Sequence, residues 1–192
     1  MLIEAIIISI VVGIIRGGKL RRLKALTRRG MWILIFGIAI QYILFLLSGL
    51  GDMDMNMVNG IVSYSREIQI LSYILILLGI AVNMRYRASK LLLGGYLMNF
   101  MAVWGNHWKV PILSEAIPLI DGSGLEKVTG EGISLYTPIA NSTKLPILGN
   151  IIVLADPYPL AKMISIGDVV VGIGIFLLIQ EVMLGRDSLM RR

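Results

Sequence analysis

Few side chains of this 192-residue chain have the chemistry of a reactive group, and the first of them is its single histidine, His107. It lies between Asn106 and Trp108. An imidazole there either relays protons or acts as a general base, or it is simply solvated beside its aromatic neighbours. A hydrolytic triad would combine His107 with Ser114 and Asp121, but no nucleophile motif such as G-x-S-x-G frames the serine. The catalytic signal is therefore weak.

Metal chemistry has even fewer candidates. The chain contains no cysteine, which excludes disulfides, thiolate metal sites and cysteine nucleophiles. A zinc site would need almost only carboxylate ligands, an unusual choice. Met53, Met55 and Met57 alternate, and on an extended strand their thioethers would face one way. That arrangement suits monovalent copper, and the alternative is a plain flexible loop. We predict no metal site and no cofactor.

Two acidic residues stand near the ends of apolar runs. Asp168 completes a capping box, Ser165-Ile166-Gly167-Asp168; ionised, it would instead bind a cation or a basic partner. Glu4 is predicted at a similar depth, and either joins Asp168 in one site or faces the interface. Asn99 and Gln41 lie inside apolar runs, which is typical of interhelical hydrogen-bonding groups. The candidate functional residues are thus Glu4, Asn99, Asn106, His107 and Asp168.

The elements that position these residues are strongly apolar. The chain is 56% hydrophobic with a mean hydropathy of +0.81, and its charged residues, 16% of the total, are bunched between long uncharged runs. One soluble core cannot bury so much apolar surface. The pattern predicts an all-α integral membrane protein, a single membrane domain over residues 1–192. Its five transmembrane helices are predicted at about residues 2–15, 31–50, 68–82, 91–104 and 166–183.

The basic residues predict the orientation of these helices. The first connection holds seven Lys and Arg residues, the third holds three and the C-terminal tail holds three, so these regions contain thirteen of the eighteen. Because cytoplasmic connections carry the excess of positive charge, the N-terminus is predicted outside and the C-terminus inside. Nucleic-acid binding is not predicted, since the basic residues flank membrane segments.

The first connection, residues 16–30, is predicted to form a short helix in the inner interface. Leu20, Leu23, Leu26 and Thr27 share one arc of that helix. Its cations either only enforce topology or bind the headgroups of an anionic inner leaflet. The predicted headgroup-binding residues are Arg16, Lys19, Arg21, Arg22, Lys24, Arg28 and Arg29.

The run His107–Ile164 is predicted to be a partly ordered extracytoplasmic cap between the fourth and fifth helices. Its apolar pieces, Val110–Ile120, Ile133–Ile139 and Leu145–Leu154, are too short to cross a bilayer. All six prolines lie in this run and prevent long helices. We expect short helices, re-entrant turns and a small hairpin, packed on the outer mouth of the bundle, in the interface or against a partner.

These features leave three functions open. The leading interpretation is a non-enzymatic cell-envelope component whose cap docks a partner protein or a lipid. The second is a small-solute or ion transporter that uses Glu4, Gln41, Asn99 and Asp168. The third is a membrane enzyme acting on a lipid-linked substrate through His107, Glu115 and Asp168. The residues themselves name no ligand.

Several short stretches form a pattern that covers nearly the whole chain. They are Leu2-Ile3-Glu4-Ala5, Arg16-Gly17-Gly18-Lys19-Leu20, Asn99-Phe100, Asn106, Pro111, Leu145-Pro146, Leu148-Gly149, Pro157, Pro159 and Ser165-Ile166-Gly167-Asp168. In this combination the chain resembles a family of small bacterial integral membrane proteins catalogued as a domain of unknown function. The resemblance implies a bacterial cytoplasmic membrane, and implies no substrate, cofactor or reaction.

The chain departs from that family pattern at two places. The pattern usually has glycines after Asn106, where this chain has His107 and Trp108, and an aspartate where this chain has Asn150. If that acid serves an activity of the family, the activity is lost or altered in this member.

Overall fold

The helices follow the apolar segments of the sequence, in a computed structural model that describes residues 2–28, 30–48, 55–119, 135–155, 158 and 161–185. The α-helices of these residues are α1 (Leu2–Ile15), α2 (Met31–Ser48), α3 (Met55–Val82), α4 (Ala88–Gly105) and α5 (Ile166–Leu184). Each of the five predicted segments is helical over its described residues, because long apolar runs without proline favour continuous helix.

Two helices of the described chain are long and apolar enough to cross a membrane by length and composition. These segments are Tyr64–Val82 and Ile166–Leu184, with mean hydropathies of 1.6 and 2.0. Leu2–Ile15 and Met31–Leu44 are shorter apolar helices. At a rise of about 1.5 Å per residue, α1 is roughly 21 Å long.

The second connection is shorter than predicted. The predicted helices at residues 31–50 and 68–82 imply a loop, the second connection, over residues 51–66, but the chain is helical from Met55 onwards. Both alternatives for Met53, Met55 and Met57, an extended strand and a flexible loop, are therefore wrong at residues 55 and 57, and Met53 lies outside the described residues. Residues 55–66 contain no proline, so nothing of that kind prevents the apolar helix that follows from extending toward its N-terminus.

The segment between α4 and α5 contains a four-stranded sheet. The strands are β1 (Val110–Ile112), β2 (Tyr136–Pro138), β3 (Asn150–Leu154) and β4 (Lys162–Ser165), in the order β2-β1-β3-β4. Strand β1 runs parallel to β2 and β3, whereas β3 and β4 are antiparallel. Short 3₁₀ helices span Ser114–Leu119 and Pro146–Leu148. The β3–β4 pair is a hairpin of the kind expected there.

The sheet corrects the all-α class to a mostly helical fold with a small sheet. Prolines exclude long helices from this region, and its short β-branched stretches then pair with one another. Ile112, Ala116 and Met163 form a buried cluster against the sheet, and Leu113, Tyr136, Val153 and Ala161 pack around it.

The chain divides into two compact units. Unit 1 comprises residues 1–36, 75–97 and 167–192, and unit 2 comprises residues 37–74 and 98–166. The sheet and its cluster belong to unit 2.

In unit 1, the first connection contacts the C-terminal end of α5. The chain leaves α1 through a Schellman turn, in which Gly17 has a φ of 78° and the amide of Gly18 donates to Gly13 at 2.7 Å. The next amide, that of Lys19, donates to the carbonyl of Met183 near the end of α5, at 3.1 Å. The turn therefore directs the first connection against the C-terminal end of α5.

The first connection then forms a 3₁₀ helix, Leu20–Arg28, where a short interfacial helix was predicted. With three residues per turn, side chains three apart stack on the same side. Leu20, Leu23 and Leu26 therefore form one column, and Arg21 and Lys24 form another. The spacing of the leucines matches this helix type.

Candidate functional site

A basic cleft opens in unit 1 beside the 3₁₀ helix. Its volume is about 640 Å³, within the range of small-molecule sites. The residues that line it come from the first connection, the third connection and the end of α5: Arg21, Arg22, Lys24, Ala25, Tyr86, Glu181 and Val182. Three cations and one carboxylate thus face the same space.

Two arginines fix the walls of the cleft. Arg22 donates from Nη1 to the carbonyl of Met183 at 3.1 Å, where a cation also complements the negative end of the α5 dipole. Arg85 donates from Nη2 to the carbonyl of Ala25 at 2.9 Å and to the hydroxyl of Tyr86 at 2.7 Å. The Arg85 guanidinium also lies 4.6 Å from the centre of the Tyr86 ring. These bonds join the first and third connections.

Glu181 places a carboxylate at the start of α4. Its two oxygens accept from the backbone amides of Arg87 at 3.3 Å and Ala88 at 3.2 Å. Amides at a helix N-terminus lack partners within the helix, and the dipole there favours negative charge. The Glu181 carboxylate therefore interacts with the N-terminal amides of α4. Its negative charge offsets the positive charge of the cleft arginines only in part.

The predicted headgroup-binding residues separate into different environments. Arg21, Arg22 and Lys24 line the cleft. Arg16 instead donates to Oε1 of Gln180 at 3.2 Å, and Lys19 is exposed outside the lining. The side chain of Arg28 and the whole of Arg29 lie outside the described part of the chain.

Gln180 is a structural residue that the sequence reasoning missed. It is buried in α5, and its Nε2 donates to the carbonyl of Ser9 in α1 at 2.7 Å. A Cβ on Gly13 would stand 3.3 Å from this Nε2 and 2.7 Å from the sulfur of Met183. Because Ser9 and Gly13 are small, the side-chain amide of Gln180 can approach the backbone of α1. A polar residue within an otherwise apolar helix was the available signal.

In unit 2, Asn106 joins the end of α4 to the segment before β3. Its Nδ2 donates to the carbonyls of Ala102 and Lys144, both at 2.7 Å, and its Oδ1 accepts from the amide of Lys144 at 2.9 Å. The side chain is buried. This amide therefore pairs with the Lys144 backbone at both its donor and its acceptor.

Asn99 links α4 to a different part of unit 2, the end of β4. Its Oδ1 accepts from the Ser165 hydroxyl at 2.7 Å. Ser165 directly precedes α5, as the capping-box motif requires. Its hydroxyl thus joins the boundary of α5 to the middle of α4.

His107 and Trp108 occupy backbone conformations that favour glycine. Their φ angles are 57° and 64°, in the left-handed region that is unfavourable for residues with a Cβ. Glycine, which the resemblance implies after Asn106, reaches this region without a Cβ clash. Trp108 packs edge-on against Phe100 and Tyr73, with ring centres 6.0 and 6.4 Å away, and such contacts are stabilising. The His107 side chain, by contrast, is exposed.

His107→Gly should stabilise the protein by about 1 kcal/mol, because glycine reaches a positive φ without the Cβ clash. The thermal unfolding midpoint of the full chain in mild detergent measures this effect. His107→Ala keeps a Cβ and is the matched control, for which no gain is expected. An equal gain in both variants would show that the backbone is not strained at this position.

The other predicted residues occupy both units. Glu4 in α1 and Asp168 in the first turn of α5 belong to unit 1, and both are half-buried. Gln41 in α2 is half-buried in unit 2. Ser114 and Glu115 are exposed at the start of a 3₁₀ helix, and Asp121 lies outside the described residues. The described residues contain no group of three or more His, Cys, Asp or Glu side chains able to hold a metal.

Comparison with known proteins gives one family. No curated protein and no solved structure matches the chain. A family model described as a family of unknown function, DUF5317, matches residues 25–180. This match covers most of the 192 residues and confirms the resemblance drawn from the sequence. The chain therefore belongs to the DUF5317 family.

Proposed function

We propose that this chain is a non-enzymatic, multi-pass component of a bacterial cytoplasmic membrane, with five crossing helices and a cap docked on the outer lipid surface. The single observation that carries the proposal is a partial inversion of burial in its helices. Many large aliphatic side chains are exposed, whereas polar and small side chains are buried together with some of the apolar ones.

Helix α1 shows this inversion most clearly. Its buried residues are Ser9 and Gly13, whereas Ile3 and Ile15 are 68% and 78% exposed. A water-soluble protein buries isoleucine first and rarely exposes a continuous aliphatic face. In lipid, aliphatic exteriors are well solvated, and small or polar residues are favoured at helix contacts. A lipid surround accounts for this arrangement.

Other helices also bury polar residues, beside apolar ones such as Ile76 in α3 and Leu178 in α5. Gln69 and Ser72 are buried in α3, and Gln180 is buried in α5. The exposed apolar side chains of the same helices and of α2 include Trp32, Ile35, Phe36, Ile43, Leu71, Ile74, Leu78 and Ile173. The inversion thus extends beyond the N-terminal helix.

The contacts of unit 1 support alternating crossings. The amide of Lys19 bonds to Met183 near the end of α5, and Arg85 bonds to Ala25. The first connection, the third connection and the end of α5 therefore meet, as five alternating helices require. Because these regions are the basic ones, their common side is assigned to the cytoplasm.

The non-enzymatic part of the proposal is supported by the polar candidates of unit 2. The amides of Asn99 and Asn106 are used in hydrogen bonds that hold the cap. His107 is exposed, in a backbone conformation that favours glycine. Asn99 and Asn106 thus have structural roles in the described chain.

The docking surface is the apolar turn Leu145-Pro146-Ile147. All three residues are exposed, Ile147 by 66%. Asn106 fixes the preceding residue, Lys144, to the end of α4. If α4 crosses the membrane, the turn lies at the level of the interface, where apolar side chains insert among headgroups. We therefore assign lipid as its occupant.

An environment-sensitive dye on Ile147→Cys tests the docking, because the native chain has no cysteine. In liposomes the dye should show blue-shifted emission and be quenched by lipids with a nitroxide near the headgroup. The same dye on Ser142→Cys, an exposed position in the neighbouring turn, should remain in water. Equal, water-like emission at both positions would contradict lipid docking. Shielding of position 147 only in native membranes, together with a protein cross-link, would replace lipid by a protein partner.

A further inference from the structure

We propose that the basic cleft of unit 1 binds a phosphate group, either the headgroup of an anionic lipid or a soluble phosphate ester. This inference goes beyond the proposed function, because it depends only on the cleft and not on the number of crossing helices. The cleft collects three cations of the first connection that the sequence did not distinguish from the other four.

The 3₁₀ helix brings three cations to the cleft. Because side chains repeat every three residues, Arg21 and Lys24 stack on one side of the helix, and Arg22 begins the adjacent column. All three line the cleft. If the cations of this helix served only as a topology signal, they would not need to line one concave space. Their convergence favours a compact dianion or monoanion over diffuse surface charge.

Arg22 and Tyr86 are hydrogen-bond donors of the cleft that are already held in position by the protein. Arg22 is held by its bond to the Met183 carbonyl, and a guanidinium has five N–H donors, so others remain for a phosphate oxygen. Tyr86 accepts a hydrogen bond from Arg85 at its hydroxyl oxygen, which leaves the hydroxyl proton to be donated. Charge-assisted bonds from pre-positioned donors are the strong ones.

The cleft lining contains one carboxylate, that of Glu181. Glu181 would repel a phosphate, but both of its oxygens already accept from the amides of Arg87 and Ala88. Its charge is thus offset by the positive end of the α4 dipole. The cleft remains favourable for an anion while Glu181 limits how deeply the anion enters.

Binding to the full chain in mild detergent tests the proposal. One arm adds phosphatidylglycerol and follows lipid adducts by native mass spectrometry. Zwitterionic phosphatidylcholine, whose phosphate charge is balanced by its choline group, is the comparison without net charge. The other arm adds glycerol 3-phosphate and follows the heat of binding. The cleft variant is Arg21→Gln with Lys24→Gln. The matched control is Lys90→Gln with Lys109→Gln, which removes two exposed cations outside the cleft.

The cleft variant should weaken binding about tenfold to thirtyfold, from roughly 1 kcal/mol per cation, and the control should change it less than twofold. A cleft-dependent loss in the lipid arm alone identifies a lipid headgroup, and the same loss with glycerol 3-phosphate identifies a soluble ester. Equal losses in the two double variants, or no binding in either arm, would overturn the proposal. Neither result depends on membrane topology, so failure here is distinguishable from failure of the proposed function.

Discussion

Gly95→Ala should destabilise the protein by about 1–3 kcal/mol, the usual range for overpacking a close contact. In unit 1, a Cβ on Gly95 would stand 2.8 Å from the carbonyl oxygen of Gly167 and from the amide nitrogen of Val171. Both atoms belong to the backbone of α5, so no side-chain rotation can relieve the clash. The helices α4 and α5 would have to separate, and close helix contact through small residues is lost.

The neighbouring glycine provides the control for this prediction. A Cβ on Gly94 meets nothing within 4 Å, and alanine is better than glycine in a helix by about 1 kcal/mol. Gly94→Ala should therefore leave the thermal unfolding midpoint in detergent unchanged or raised, while Gly95→Ala lowers it. Equal shifts in the two variants would mean that α4 and α5 do not approach at Gly95.

Asn106→Ala should destabilise unit 2 by about 3 kcal/mol. The substitution removes three hydrogen bonds and leaves backbone groups of Ala102 and Lys144 without this partner; each buried unsatisfied group costs about 1–3 kcal/mol. Asn106→Asp should be at least as harmful, because a carboxylate would face two carbonyl oxygens at hydrogen-bond distance. Thermal unfolding in detergent, combined with limited proteolysis of the cap, measures the effect.

Asn141→Ala is the matched control for Asn106, since Asn141 is an exposed asparagine close to Lys144 in the sequence. Little change is expected for it, as for most surface substitutions. If Asn106→Ala behaves like Asn141→Ala, then the amide does not join α4 to the cap.

The helices were the most predictable part of this molecule. Residues 2–15 and 166–183 were expected to be helical, and α1 and α5 occupy Leu2–Ile15 and Ile166–Leu184. Long apolar runs predict such helices because the hydrophobicity of consecutive residues can be read without knowing any contact between distant parts of the chain. The N-terminal part of α3 was missed because residues 55–66 are more polar than the predicted apolar segments.

The sheet was less predictable, because its pairings are not local. Val110 lies opposite Tyr136, and Ile112 lies opposite Asn150. Strands of three to five residues carry almost no periodic signal, so proline density showed that long helices are absent but not which strands would pair.

The candidate site was predictable in composition but not in geometry. Seven basic residues of the first connection were expected to bind headgroups, and the period of its leucines is compatible with more than one helix type. Only the 3₁₀ geometry selects Arg21, Arg22 and Lys24 for the cleft. Glu181 and Tyr86 come from distant parts of the chain, and nothing in their local sequence connects them to it.

Impermeant thiol labelling of single-cysteine variants in intact cells tests the central claim, which is that the basic connections and the cap lie on opposite sides of a membrane. Lys109→Cys and Ser142→Cys report on the cap, and Lys19→Cys and Lys90→Cys report on the basic connections; all four positions are exposed and no native cysteine interferes. We expect positions 109 and 142 to be labelled in intact cells, and positions 19 and 90 only after the membrane is permeabilised. Labelling of positions 19 and 109 on the same side would contradict this account.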